Sequence, residues 1–315
     1  MLPLTTLHLL SVGLAVGSTA TPPRISAVVT DVDGTLFSFA GRDLSEGNRV
    51  ALSECVESGV HVSLATGRIP GPWFDALKAQ LPGLGPCVFG NGALVVDASG
   101  TPIWEAKLSK EIVSSVLEYT AGGVADGGAR LCVLAATPWE DSGSSSTIRY
   151  CELSPDGARS PITDLIDGAG EPPAVLLPSL DGFADRDVLK FVIWTVPGEA
   201  GWASMPSTVQ ALKARLADSG ATILDHGSRW CEVLPRGVNK GTGVERMLAH
   251  LSVDPANALA CGDAENDVEM LQICGIGAAM ANAKPDALAA ADVTVASNAD
   301  DGVAEAIRRF VLPAR

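Results

Sequence analysis

The segment Ile25-Ser26-Ala27-Val28-Val29-Thr30-Asp31-Val32-Asp33-Gly34-Thr35-Leu36 ends an apolar run in two aspartates one residue apart, followed by a turn glycine and a threonine. Such a run predicts a buried strand, which puts both acids at its carboxyl edge, where open α/β sheets bind ligands. Two carboxylates so close repel each other unless a cation neutralises them. Aspartate is a hard oxygen ligand suited to Mg²⁺ and also a possible nucleophile towards phosphorus. The pair therefore points to phosphoryl chemistry, although the same residues alone also fit a tight acidic turn that binds calcium or nothing.

Three further segments bear on that choice. In Val60-His61-Val62-Ser63-Leu64-Ala65-Thr66-Gly67-Arg68, strand-like alternation ends in a hydroxyl, a glycine and a guanidinium before a helix-like stretch. Thr66 and the amides behind it could hold phosphate oxygens at a helix start, or simply cap the helix. Gly237-Val238-Asn239-Lys240-Gly241 opens an amphipathic stretch with Val244, Met247, Leu248 and Leu251 on one face. A lysine at a helix start is electrostatically odd unless an anion lies nearby, because the macrodipole is positive there. Ala258-Leu259-Ala260-Cys261-Gly262-Asp263-Ala264-Glu265-Asn266-Asp267 is a second buried run ending in acids. One of its acids could cap a helix, but hardly Asp263, Glu265 and Asp267 together.

In this order and spacing the four segments resemble the haloacid dehalogenase superfamily, specifically its Cof-type phosphatases. The resemblance extends from about Arg24 to the C-terminus and includes Phe89-Gly90-Asn91-Gly92-Ala93, Ala281-Asn282-Ala283-Lys284-Pro285 and Ser297-Asn298-Ala299-Asp300-Asp301-Gly302-Val303. It implies that Asp31 takes the phosphoryl group and that Asp33 protonates the leaving alcohol and later deprotonates water. It also implies an Mg²⁺ cofactor held by Asp31, the Asp33 backbone carbonyl, Asp263 and Asp267. Thr66, Gly67 and Lys240 would then face the phosphoryl oxygens, with Asn266 as an additional phosphate contact. One departure is Ala281, where related chains often carry glycine before the Asn-Ala pair, which could alter a backbone turn beside the phosphate site.

The elements that must position these residues alternate between strand-like and helix-like at both ends of the chain. That pattern predicts an α/β fold with a doubly wound, Rossmann-like parallel sheet. Its strands are the runs ending at Thr30, Ala65, Phe89, Ala260, Met280 and Val295. The middle reads differently: Leu94 to Trp104 looks like a hairpin, and segments 142–146 and 157–161 are too small and polar for a core. Val188 to Trp194 reads as a buried strand, and Val209 to Leu216 as a helix ending near Gly220. The expected organisation is a leader or extension over 1–23, a core formed by 24–100 and 226–315, and an inserted α/β cap over 101–225 that selects the substrate.

At 315 residues with 47% hydrophobic composition, the chain can bury a sizeable core. A net charge of −15 weighs against a nucleic-acid or anionic-membrane partner but not against a phosphate substrate, because a metal and one lysine can reverse the local potential. The seven cysteines form no CxxC pair and no zinc-ligand spacing, and read as reduced core residues. The four histidines form no cluster in the sequence. The apolar stretch from Leu7 to Gly17, followed by Ser18-Thr19-Ala20, fits a targeting leader except that no Lys or Arg precedes it. A surface or disordered extension is the alternative, and the expected location is cytoplasmic or organellar.

The function expected on these grounds is Mg²⁺-dependent hydrolysis of a small phosphorylated metabolite, such as a sugar phosphate, through an aspartyl phosphate. Two alternatives stand beside it: a phosphotransferase or phosphomutase of the same superfamily, and a non-catalytic phosphometabolite-binding protein. A binding module needs neither a nucleophile nor its acid partner, which counts against the last. Substrate identity and oligomeric state are left open by the sequence.

Overall fold

The computed structural model describes residues 24–37, 44–121, 131–138, 148–153, 159–177, 183–195, 202–227 and 229–312. The expected leader over 1–23, the loop over 142–146, residues 157 and 158, and Trp139 lie outside them.

The chain opens with β1 (Ala27–Thr30), α1 (Glu46–Glu57), β2 (His61–Leu64), α2 (Pro72–Gln80), β3 (Cys87–Phe89), β4 (Leu94–Val96) and β5 (Pro102–Glu105). Its middle contributes α3 (Lys110–Thr120), β6 (Leu131–Pro138), β7 (Ile148–Leu153), α4 (Pro161–Gly168) and β8 (Val175–Leu177). There follow β9 (Lys190–Thr195), α5 (Met205–Arg215), β10 (Thr222–Asp225) and β11 (Trp230–Leu234). The last part holds α6 (Lys240–His250), β12 (Ala258–Gly262), α7 (Val268–Ile273), β13 (Ile276–Met280), α8 (Pro285–Ala290), β14 (Val293–Val295) and α9 (Gly302–Phe310).

Five strands form one parallel sheet in the order β14-β13-β12-β1-β2, so the two ends of the chain share it. β1, an interior strand next to the edge strand β2, pairs Ala27 with Ala258 on one side and with His61 on the other. Its strands read as unbroken apolar runs because both faces are covered. Val28 and Leu259 pack with Leu52 and Cys55 of α1 and Val303 and Ile307 of α9, whereas Ala27, Val29 and Ala260 pack with Val244 and Met247 of α6 and Met270 of α7. All seven cysteines are buried and unpaired, as their apolar contexts predict.

The run ending at Phe89 departs from its expected place. Gly90, Asn91 and Gly92 all adopt left-handed backbone, with φ of 58°, 53° and 99°, and turn the chain back sharply. β3 therefore pairs antiparallel with β4 in a small sheet, β3-β4-β5, and reaches the large sheet only through the bridge Ala65↔Val88.

A second sheet has the order β10-β11-β9-β6-β7-β8. One of its faces, with Val133, Phe191, Ile193 and Val233, packs against Val116 of α3 and Met205 and Leu212 of α5. Leu134, Tyr150 and Val192 belong instead to the same cluster as the parallel sheet. The second sheet takes its strands from Leu131 to Leu234. β5 pairs with β4 rather than with the second sheet, and β11, placed by expectation beyond residue 226, pairs with both β10 and β9. Alternation shows that a stretch is a strand; the pairing partner is a tertiary property that alternation does not carry.

Candidate active site

Parallel pairing of β1 with β12 sets their carboxyl ends side by side, and the Asp31 N–H extends the ladder to the Cys261 carbonyl at 2.9 Å. Each of Asp31, Asp263 and Asp267 offers a carboxylate oxygen within 4.8 Å of the others, and all three residues are buried. Gly262 permits the approach, since a Cβ there would lie 2.6 Å from the Cβ of Asp267. Asp267 Oδ2 accepts the N–H groups of Asp263 and Ala264 at 2.9 and 3.0 Å, closing the acidic loop on itself. Thr35 donates its hydroxyl to Asp263 Oδ1 at 3.1 Å.

Lys240 is the first residue of α6, whose N-cap Asn239 exchanges hydrogen bonds with Thr242. Its Nζ lies 2.5 Å from Asp31 Oδ1 and 2.6 Å from Asp267 Oδ1. These are the anions that a lysine at a helix start requires. Burial works against the ammonium, but Asp267 and Asp31 outweigh it and hold the Lys240 pKa above its ordinary value. Burial pushes the Asp31 carboxyl well above the usual carboxylate range, opposed by Lys240 and reinforced by Asp267, Asp263 and Asp33. Burial likewise raises Asp263 to about 6, with Asp267 adding to the rise and Thr35 and Lys240 opposing it. One lysine cannot offset the charge of three carboxylates when all are ionised, and the cluster presents hard oxygen donors. That donor set fits a small divalent cation such as Mg²⁺.

Asp33 stands apart from this group. Its carboxylate accepts two hydrogen bonds from Arg68, Nε to Oδ2 at 2.7 Å and Nη2 to Oδ1 at 2.6 Å. Nη1 of Arg68 donates to the Ala169 carbonyl at 3.0 Å, and the guanidinium lies 5.1 Å from the Trp73 ring centroid. The resemblance gives Asp33 a metal role through its backbone carbonyl alone, and its carboxylate does not join the acidic cluster.

Buried Thr66 accepts the Asn91 N–H on its carbonyl at 3.0 Å and the Arg68 N–H on Oγ1 at 3.2 Å. The Gly67 carbonyl accepts Lys190 Nζ at 2.7 Å, and Asn266 Nδ2 donates to Asn91 Oδ1 at 2.9 Å. The structure therefore joins Asp31, Asp263, Asp267 and Lys240 directly, and links Thr66 and Asn266 through Asn91. Arg68 and Asn91 were quoted in the sequence motifs without a role there. Their signals were a guanidinium directly after Thr66-Gly67 and an asparagine between two glycines.

The late motifs brace the loop beyond Asp33. Asn282 Nδ2 donates to the Gly34 carbonyl at 2.8 Å, Asn298 Nδ2 donates to the Phe37 carbonyl at 3.1 Å, and the Asn298 N–H donates to Asn282 Oδ1 at 2.8 Å. Ala281 is not among the residues with left-handed backbone, so alanine fits where related chains often have glycine.

Residues 28–123 and 183–307 match the family model of haloacid dehalogenase-like hydrolases. A chloroplastic protein of Arabidopsis thaliana named endoribonuclease YBEY is 30% identical over 302 residues, which are 91% of this chain and 47% of that protein. The chain thus spans about half the length of that relative. An HMP-PP phosphatase of Yersinia pseudotuberculosis is 32% identical over 265 residues, covering 81% of this chain and 83% of the relative. Among solved structures, a sugar phosphatase of haloacid dehalogenase subclass IIB shares the fold, with a TM-score of 0.74 at 19% identity over 91% of this chain and 100% of that one. With the family model matched over most of its length and the Yersinia relative aligned along four fifths of it, the chain belongs to the haloacid dehalogenase-like hydrolases, in their Cof-type phosphatase branch.

Proposed function

We propose that the chain hydrolyses a small organic phosphomonoester, with sugar phosphates as the leading class, through an aspartyl phosphate formed on Asp31. The observation that carries this reading is the Asp31 carboxylate, one oxygen of which is bound by Lys240 among Asp263 and Asp267 while Asp33 stands two residues away. The names of the Yersinia relative and of the subclass IIB structure, both phosphatases, support a small phosphorylated substrate.

Phosphoryl transfer asks mainly for positioning and charge stabilisation. With Oδ1 engaged by Lys240, Asp31 attacks phosphorus with Oδ2. The new O–P bond forms as the bond to the alcohol oxygen breaks, and Asp33, released from Arg68 and protonated from solvent, gives that oxygen its proton. Asp33 then takes a proton from water as the water oxygen attacks phosphorus, which frees inorganic phosphate and restores Asp31. Lys240, Thr66, the Gly67 amide and Asn266 hold the phosphoryl oxygens throughout. Asp31, Asp263, Asp267 and the Asp33 carbonyl would hold Mg²⁺, which when bound neutralises charge on the phosphoryl group.

The name of the Arabidopsis relative includes a chloroplast, which together with the apolar N-terminal stretch supports an organellar destination. No helix among the described residues is long and apolar enough to cross a membrane. Phosphate release by the purified protein, measured over a panel of phosphorylated metabolites with Mg²⁺ and with added acceptor alcohols, tests the reading. Transfer to an alcohol in place of release would make the protein a phosphotransferase, and no turnover of any member would refute the proposed activity.

A further inference from the structure

The Gly90-Asn91-Gly92 turn touches every loop expected to hold the phosphoryl group. Asn91 is the one residue of the three with a side chain, and it keeps a left-handed backbone while 1% exposed. Asparagine tolerates that conformation better than most residues. Both ends of its carboxamide are used: Nδ2 donates to Glu232 Oε2 at 2.9 Å and Oδ1 accepts from Asn266 Nδ2 at 2.9 Å. Its N–H binds the Thr66 carbonyl. Gly92 abuts the start of α6 so closely that a Cβ there would lie 2.0 Å from the Asn239 carbonyl oxygen, one residue before Lys240.

The partner of Asn91 in the second sheet is half of a buried ion pair. Lys190 Nζ donates to the same Glu232 Oε2 at 2.9 Å and to the Gly67 carbonyl at 2.7 Å, so Gly67, Lys190, Glu232, Asn91 and Thr66 form a closed ring across the two sheets. Lys190 and Glu232 are 1% and 6% exposed. A buried ion pair is a weak source of stability compared with apolar side chains of similar size. What this pair supplies is direction: Lys190 Nζ donates to both the Gly67 carbonyl and Glu232 Oε2, and the same Glu232 oxygen accepts from Asn91 Nδ2.

We propose that Asn91 is a positioning residue that transmits the placement of the Lys190–Glu232 pair to Asn266 and to the Thr66–Gly67 loop, so that seating of the inserted segment aligns the groups that grip the phosphoryl oxygens. The inference rests on the phosphatase reading above. It assigns a role in substrate handling to Asn91, Lys190 and Glu232.

The test is a double-mutant cycle read by inorganic phosphate, both as a competitive inhibitor of turnover and by calorimetry with Mg²⁺ present. Asn91→Gly removes the carboxamide and keeps the left-handed backbone. Asn91→Gly and Asn266→Ala should each weaken phosphate binding by about tenfold, a fair value for one hydrogen bond to a charged group. The double variant should be no more than about twofold worse than either, because coupled residues are not additive. Glu232→Gln still presents one oxygen to both Asn91 and Lys190, so it should stay within about threefold of wild type, whereas Glu232→Ala should match Asn91→Gly. If Asn91→Gly does not fold, the cycle of Glu232→Ala with Asn266→Ala serves, with the same sub-additivity expected. Turnover by the wild type with additive losses in the cycle overturns this inference and leaves the phosphatase reading standing. No turnover of any phosphomonoester by the wild type overturns that reading and this inference with it.

Discussion

Arg68 grips Asp33 in a two-bond fork while Lys240 grips Asp31, so two acids separated by one residue are partnered by different cations. The Asp33 side chain keeps about half of its surface exposed at 48%, whereas that of Asp31 is 5% exposed. A buried carboxylate beside a lysine suits a nucleophile that must stay fixed. An accessible carboxylate on a releasable partner suits a group that must meet both the leaving alcohol and water.

That division of labour predicts different leaving-group behaviour. Asp33→Asn should lose a general-acid contribution of about 10²- to 10⁴-fold on an alkyl or sugar phosphate and much less on an activated aryl phosphate. Lys240→Ala should lose a similar fraction on both, because its charge acts on the phosphoryl group whichever alcohol departs. Equal leaving-group sensitivity of the two variants, under conditions where the first transfer limits turnover, would contradict the roles given to both.

Asp31→Asn keeps the shape of the side chain and an oxygen for Lys240 but removes the attacking carboxylate. Turnover should fall to background. The melting temperature in chelator should be no lower than that of wild type, since one of three crowded acids has become neutral. Near wild-type turnover in this variant would remove the covalent intermediate from the proposed mechanism.

Metal removal should abolish activity, and Mg²⁺ should restore it. Ca²⁺ should restore little, because its larger and looser ligand shell suits in-line geometry poorly. Activity that persists in excess chelator would show that the acidic cluster serves another purpose.

Glu171 gives a pH prediction away from the metal cluster. Its Oε2 accepts the Ile69 N–H at 3.3 Å in a buried position. Burial raises its pKa from 4.5 to about 8, although Arg68, Lys190 and the Ile69 N–H oppose the rise. The folded state thus retains a proton that the unfolded chain gives up between about pH 4.5 and 8, and this group's contribution to stability falls as pH rises through that window. One such group changes stability by at most about 1.4 kcal/mol per pH unit. Glu171→Gln should therefore flatten the decline between pH 5 and 8, measured by urea unfolding in chelator. Parallel profiles for variant and wild type would show that Glu171 titrates normally.

The parallel sheet and its acids were legible because unbroken apolar runs ending in aspartate carry both strand and site in adjacent residues. The oddity of Lys240 at a helix start called for a nearby anion, and Asp31 and Asp267 stand there. Three things were not legible, and each depends on pairing across distance. β11 is apolar apart from Glu232 and buried apart from Trp230, and nothing in Trp230 to Leu234 says which sheet it joins. Lys190 stood in plain view inside an apolar run, yet its meaning required Glu232, 42 residues later. The fork on Asp33 required Arg68, 35 residues away, and an arginine after a helix cap is an ordinary surface residue until its partner is known.

The interior place of β1 makes its pairing depend on a distant part of the sequence. Ser26, just before this strand, bonds its N–H to the carbonyl of Asn257, 231 residues later, so one edge of β1 stays open until that distant segment is in place. The inserted sheet lies wholly within that interval and pairs only with itself, and short-range pairing closes sooner than long-range pairing. The second sheet is therefore expected to close before β1 gains β12 as its neighbour. Until β12 pairs with β1, Asp31 ends a strand that lacks the neighbour bringing Asp263, so the acidic cluster forms only when these two distant segments meet.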